Sequence, residues 1–214
     1  MDESDPRDQL IKKVGNKIKD AIVSYMNGHN MSKRIEGYVW EFHGVESNEV
    51  NAWCMPGGKV VVYSGLLPVT QDEGSLAIVL GHEIGHAIAR HGNERMSEQM
   101  VAQGLGAGVG IALSQKPAET RNLFLQAFNA GAGLTLLSYS RKEESEADKL
   151  GLVFAAMAGY DPHIAVDFWK RMADVGKNSQ KPPEILSTHP SDETRIKDIE
   201  AFLPEAMKYY KPSH

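Results

Sequence analysis

The sequence predicts an α+β fold, mostly helical, with a small antiparallel sheet of about three strands. Three observations predict it. Apolar residues recur at helical spacing near the start of the chain and through most of its second half. Between these stretches, residues 35–63 alternate side-chain character around Pro56-Gly57-Gly58, a turn signal. Strands confined to one segment, with helices after it, mark segregated rather than alternating elements.

The elements follow in chain order. Residues 8–26 read as an amphipathic helix, with Leu10, Ile11, Val14, Ile18, Ile22 and Tyr25 at helical spacing. Residues 35–43 read as a strand, setting Ile35, Gly37, Val39 and Glu41 against Glu36, Tyr38, Trp40 and Phe42. Residues 50–55 and 59–63 are short strands on either side of the turn. A long helix over 72–91 opens with Asp72 and Glu73 and stops near Gly92. Further helices are expected at 94–114, 118–138, 141–158, 162–175 and 191–203, with 177–190 as a Pro- and Ser-containing loop. The segment Gly104–Gly110 lacks a Gly-Lys-Ser/Thr ending and follows no strand, so it is not a phosphate loop. It reads as a closely packed or mobile helix, placed to cover an active-site cleft.

Length and composition bound the function. The 214 residues suit one domain over 1–214: an N-terminal helix within 1–30, the sheet within 35–63, and a helical part over 72–203. Apolar content of 42% and charged content of 24% are ordinary globular usage and exclude a disordered chain. A net charge of −5 does not suit a protein that binds nucleic acid by neutralising phosphates. The single cysteine, Cys54, excludes an intrachain disulfide framework; it reads as a small apolar core residue, not a nucleophile. No apolar run reaches the ~18 residues needed to span a bilayer. The polar, acidic start shows no secretory h-region.

The sharpest local signal is His82-Glu83-Ile84-Gly85-His86. Two histidines four apart share a helix face, so their imidazoles can converge on one Zn²⁺. Glu83 cannot reach the same position and can instead act as general base toward a metal-activated water. Chance would place this pattern in such a chain only about 0.02 times. A catalytic site needs a third ligand. His91 stands five residues beyond His86, roughly 140° around a helix, and is expected at the surface or helix end. The dense acidic cluster at 143–148 is the alternative source. Glu144 and Asp148 share a face, beside small Ala147, Gly151 and Ala155, and the first helix offers small Gly85 and Ala89. Small residues on both sides would let the helices approach closely. Glu144 could then ligate metal, and Asp148 could accept a hydrogen bond from the distal nitrogen of a ligand histidine. Acidic residues also suit any helix start through the macrodipole, and spacing alone does not choose between Glu143 and Glu144.

Four blocks carry a family resemblance: residues 51–58 with Val60–Tyr63 and Gly65-Leu66-Leu67; residues 80–86; Ser140-Arg141 with Glu144, Ala147 and Asp148; and His189-Pro190-Ser191 with Arg195-Ile196. In this order they resemble the HExxH metallopeptidases that include membrane-bound HtpX, the CAAX prenyl protease, and BepA-type and Oma-type enzymes. The resemblance implies a zincin-like fold, gluzincin-like in its ligands, with His82, His86 and Glu144 holding one Zn²⁺ per chain. It favours Glu144 over Glu143 as third ligand. It implies Glu83 as general base and Arg195 as oxyanion donor. It leaves His189 as a transition-state stabiliser or a fourth ligand that closes the site.

The strand containing Val60, Val61 and Val62, with Asn51 nearby, is the expected substrate platform, where an extended peptide adds at a sheet edge. The expected reaction is cleavage of internal peptide bonds in unfolded or misfolded envelope proteins. The alternatives are a latent, chaperone-like zinc module closed by His189, or an aminopeptidase, for which no α-amine recognition group is visible. Expected partners are protein or peptide substrates and no nucleic acid, with no membrane span but peripheral or lipid-anchored association allowed. The resemblance suggests a bacterial cell envelope location, periplasmic or lipoprotein, with cytoplasmic as the alternative.

Overall fold

The computed structural model describes residues 1–92, 140–178, 183–189 and 193–212. Within them the chain forms α1 (Pro6–Gly28), β1 (Glu41–Val45), β2 (Ala52–Met55), β3 (Lys59–Tyr63), α2 (Leu67–Thr70), α3 (Glu73–Ala89), α4 (Arg141–Met157), α5 (Ile164–Asn178), α6 (Glu184–Thr188) and α7 (Glu193–Ala206). The fold is therefore mostly helical with a three-stranded sheet, as the composition of segments predicts. The helices expected at 94–114 and 118–138, and the Gly104–Gly110 segment, lie outside the described residues.

Four differences have local causes. The first strand starts at Glu41 rather than 35, because Gly37 takes a φ of +77° and breaks the extended run. The sheet is mixed, not antiparallel. Its order is β1-β3-β2; β1 pairs with β3 in parallel, Glu41 with Lys59 through Val45 with Tyr63, and β2 pairs with β3 antiparallel. After β1 the chain passes the slot that β3 later fills, so β3 returns between β1 and β2. The long helix ends at Ala89, not at 91. Finally, the 177–190 stretch is not all loop, since α6 forms within it.

The core is built on two apolar stripes. In α1, Ile11, Val14, Ile18 and Ile22 are fully buried at helical spacing. In α3, Leu76, Leu80, Ile84 and Ile88 are buried against them and the sheet, while Phe154, Phe168 and Trp169 close the far side. Asp72 caps α3, its carboxylate accepting from the Ser75 amide at 2.7 Å. Among the described residues no helix is long and apolar enough to cross a membrane.

Candidate metal centre

The centre forms where α3 and α4 cross. Glycines make that crossing close. A Cβ on Gly151 would stand 2.8 Å from the His82 amide nitrogen, and one on Gly81 would stand 2.9 Å from the Gly151 carbonyl oxygen. Larger residues there would force the backbones apart. The N-terminus of α4 then sorts its acidic side chains. Ser140 Oγ accepts from the Glu143 amide at 3.2 Å, and Glu143 Oε2 accepts from the Ser140 amide at 2.7 Å. This capping box holds Glu143 at the helix end, while Glu144 is buried and points toward α3.

Four donor side chains converge. One ligand atom from each of His82, His86, Glu144 and His189 lies within 4.8 Å of the others, and all four residues are buried. His82 Nε2 is 3.1 Å from His86 Nε2 and 3.2 Å from His189 Nδ1. Glu144 Oε1 is 3.2 Å from His86 Nε2 and 2.7 Å from His189 Nδ1. Ligands held tetrahedrally at ~2.0–2.1 Å stand about 3.3–3.4 Å apart, so these atoms already surround a point that a small cation fits. Two imidazoles with a carboxylate suit zinc-type chemistry. Glu83 Oε1 is buried and accepts no hydrogen bond, which suits a nearby positive charge.

Outer partners orient the ring of helices α3 and α4. Asp148 Oδ1 accepts from His82 Nδ1 at 2.9 Å. Arg195, from α7, donates to Asp148 through Nε and Nη2, each at 2.8 Å, and its Nη1 lies 2.9 Å from Glu144 Oε2. Its guanidinium also lies 3.4 Å from the centroid of the Trp169 ring. Arg195 is therefore engaged with the carboxylates behind the donors and does not line the cleft, so the expectation of an oxyanion donor is not met by this geometry. His189 is brought in by α6, whose Ile185 amide donates to Val50 O at 3.4 Å.

The charges are coupled. Burial pushes the Glu83 carboxyl up, against the opposing pull of His189 and His82. Burial would raise Glu144 too, but its hydrogen bond with His189 and the neighbouring His82, His86 and Arg195 hold it well below the usual carboxylate range. Asp148 is likewise opposed by burial, yet Arg195 and His82 bring it down to about 2.

A cleft of about 480 Å³ opens beside the donors, and its walls include Asn51, Trp53, Cys54, Glu83, His86 and His189. This overturns the expected platform. Val60, Val61 and Val62 are in β3, the central strand, paired on both sides, and Val60 and Val62 are fully buried. The strand bordering the cleft is β2, which among the described residues pairs only with β3. Asn51, just before it, does reach the cleft. Cys54 does as well, and burial pushes its thiol up to about 12, which leaves it unsuited to be a nucleophile.

His91 lies just past the helix end, one of its two expected places, but it is buried at 2% exposure rather than at the surface, and its Nδ1 lies 2.9 Å from His86 Nδ1. The helical rotation of 140° does not apply, because α3 has already ended. Arg90 takes a left-handed conformation (φ 66°, ψ 27°) and turns the chain back onto the helix.

A buried His-His-Glu donor set on two crossing helices, with a glutamate between the histidines, defines a metallopeptidase-type centre. Comparison with known proteins agrees. Residues 13–203 match the model of peptidase family M48, and the chain belongs to that family. It is 38% identical to the mitochondrial metalloendopeptidase OMA1 of Schizosaccharomyces pombe over 168 residues, covering 78% of this chain and 48% of the relative. It is 34% identical to the mitochondrial metalloendopeptidase OMA1 of Homo sapiens, covering 79% of this chain and 33% of the relative. It is 35% identical to the beta-barrel assembly-enhancing protease of Yersinia pestis, covering 74% and 33%. The Oma-type and BepA-type resemblance read from the motifs is thus met. The chain spans between a third and a half of the length of these relatives. The expected bacterial envelope location is overturned: the OMA1 relatives from yeast, plant and human are mitochondrial by name.

Proposed function

We propose that residues 1–214 form one catalytic domain of a zinc-dependent metalloendopeptidase that cleaves internal bonds of extended protein segments. The observation that carries this reading is the convergence of His82, His86 and Glu144 around one point, with the Glu83 carboxylate beside it at the cleft wall. A bound zinc would supply Lewis-acid polarisation and an acidified water. His82 and His86 would hold it through Nε2 and Glu144 through its carboxylate. Glu83, its carboxyl pushed up by burial, is suited to take a proton from water and return it to the leaving amine. Arg195 and Asp148 act as positioning residues, keeping His82 and Glu144 aimed inward. The side of β2 left unpaired among the described residues, with Asn51 at its head, offers main-chain groups to an extended substrate. Main-chain pairing tolerates many sequences, which suits unfolded or misfolded proteins as substrates.

A second reading is favoured by one observation. His189 Nδ1 stands with the other three donors, at 2.7 Å from Glu144 Oε1. In that place it would complete a four-donor set and keep the resting site closed, giving a latent module.

The test is metal content and cleavage of casein and of an end-blocked peptide, for the wild type and Glu83→Gln together. We expect about one zinc per chain in both proteins and a rate loss of about 10²-fold or more in the variant. Equal activity in the two, or a wild type without zinc, overturns the proposal. Zinc in both with activity in neither selects the latent reading, and His189→Ala then gains activity. Cleavage only of unblocked peptides would mean an aminopeptidase.

A further inference from the structure

The two histidines of α3 are held from behind by different groups. His82 leans on Asp148, a buried carboxylate tied to Arg195. His86 leans on another histidine, His91, which the proposed mechanism leaves without a task. The rings of His86 and His91 are edge-to-face, with centroids 4.9 Å apart. On the far side, His91 Nε2 lies 3.5 Å from Glu146 Oε2, ion-pair range rather than hydrogen-bond range. Glu146 is half exposed.

The geometry points to His91 as a positioning residue that fixes the tautomer and ring angle of His86 for metal ligation, with Glu146 as its outer anchor. The inference rests on the metal-site reading proposed above. The argument is one of proton placement. His86 presents Nε2 to the converging donors, so a metal there leaves its remaining proton on Nδ1. That N–H must donate, and the acceptor at 2.9 Å is His91 Nδ1. His91 must then carry its own proton on Nε2, on the side of Glu146. With His86 Nε2 turned to a metal, this arrangement of protons gives its Nδ1–H an acceptor in His91 and leaves Nε2 a lone pair for ligation.

The backbone supports this assignment independently. Arg90 is one of three non-glycine residues at positive φ among the described residues, and its left-handed turn is what returns His91 to the helix. A side chain there costs more than glycine would, so the turn must be over-determined by its surroundings, and the buried His86–His91 contact is such a determinant. One helix, α4, supplies Glu144 toward the donors, Asp148 behind His82, and Glu146 behind His91.

The test is zinc affinity by chelator competition, the absorption spectrum of the Co²⁺-loaded protein, and the melting temperature of the metal-free protein, for the wild type, His91→Ala and His91→Gln. We expect His91→Ala to weaken zinc binding by about 10–100-fold and to change the Co²⁺ bands. We expect His91→Gln, whose carbonyl oxygen can accept from Nδ1, to recover much of the affinity. A mere packing role would lower the metal-free melting temperature of both variants without moving affinity or spectrum, and that result overturns the inference. So does wild-type affinity in His91→Ala. A wild type that binds neither ion would instead overturn the metal-site reading itself, before His91 is at issue.

Discussion

Two buried aspartates sit in two different parts of this molecule, and they do different things. Asp148, on α4, is 7% exposed and meets His82 and Arg195. Asp8, on α1, is 3% exposed and accepts from the Gly44 amide at 2.8 Å, with Lys12 Nζ 2.9 Å away. Each is a buried carboxylate paired with a cation, and each is held below the ordinary aspartate range. What separates them is what lies beyond the pair. Behind Asp148 stand three more titratable side chains aimed at one point. Asp8 meets a backbone amide and ties α1 to β1. Burial of charge alone does not mark a site; convergence of donors does.

The largest effect should come from breaking the helix crossing that places Asp148. Gly151→Val puts a Cβ within 2.8 Å of the His82 amide nitrogen, a backbone atom that cannot yield. We expect a loss of more than about 5 kcal/mol, seen as failure to fold or as a folded protein with no zinc affinity. Denaturant unfolding and metal titration read both. A Gly151→Val protein with wild-type stability would mean that the crossing is not as close as described.

The next effect isolates the charge pair. Arg195→Met removes the guanidinium but keeps an apolar body against Trp169. Asp148 then stays buried with only His82, and breaking such a pair costs about 3–5 kcal/mol. Adding Asp148→Asn to Arg195→Met should recover part of that loss, because the uncompensated carboxylate goes with it. If the double variant is as unstable as the sum of the singles, the two residues are not coupled as their distances imply.

How far the sequence could anticipate this follows from the range of each signal. His82, Glu83 and His86 form a pattern within five residues of one helix, where spacing fixes geometry. Glu144 and Asp148 were readable as a face, and small Ala147 and Gly151 hinted at close approach, but choosing between Glu143 and Glu144 needed the resemblance. The physical discriminator is the capping box, a helix-end detail that occupies Glu143. The burial of His91 against His86 was not legible, because a helical wheel does not hold two residues past Ala89 and a left-handed Arg gives no signal as a glycine would. The order of the strands was not legible either. Whether β2 or β3 lies outermost depends on a crossover that alternation cannot encode, so β3 was read as the sheet edge where the structure has β2.

The smallest effect sharpens the contrast from the other side. Asp8→Asn keeps the shape of the side chain and its acceptor for the Gly44 amide but removes the charge that Lys12 meets. Lys12 is about a third exposed, so solvent screens much of the pair. We expect a loss of about 1 kcal/mol at neutral pH, and zinc affinity unchanged. Its pH dependence has a definite sign. Burial works to raise the Asp8 carboxyl, but Lys12 and the Gly44 amide together hold it below its unfolded value. The folded protein therefore takes up that proton at lower pH than the unfolded chain. The stabilisation is complete above the ordinary aspartate value of about 3.9 and is lost as pH falls through the lower folded value. Urea unfolding of the wild type and the variant should give a constant difference from about pH 7 to about pH 5, then a shrinking one in acid. A difference that persists unchanged in acid would assign Asp8 to packing, and the likeness between the two aspartates would end at their burial.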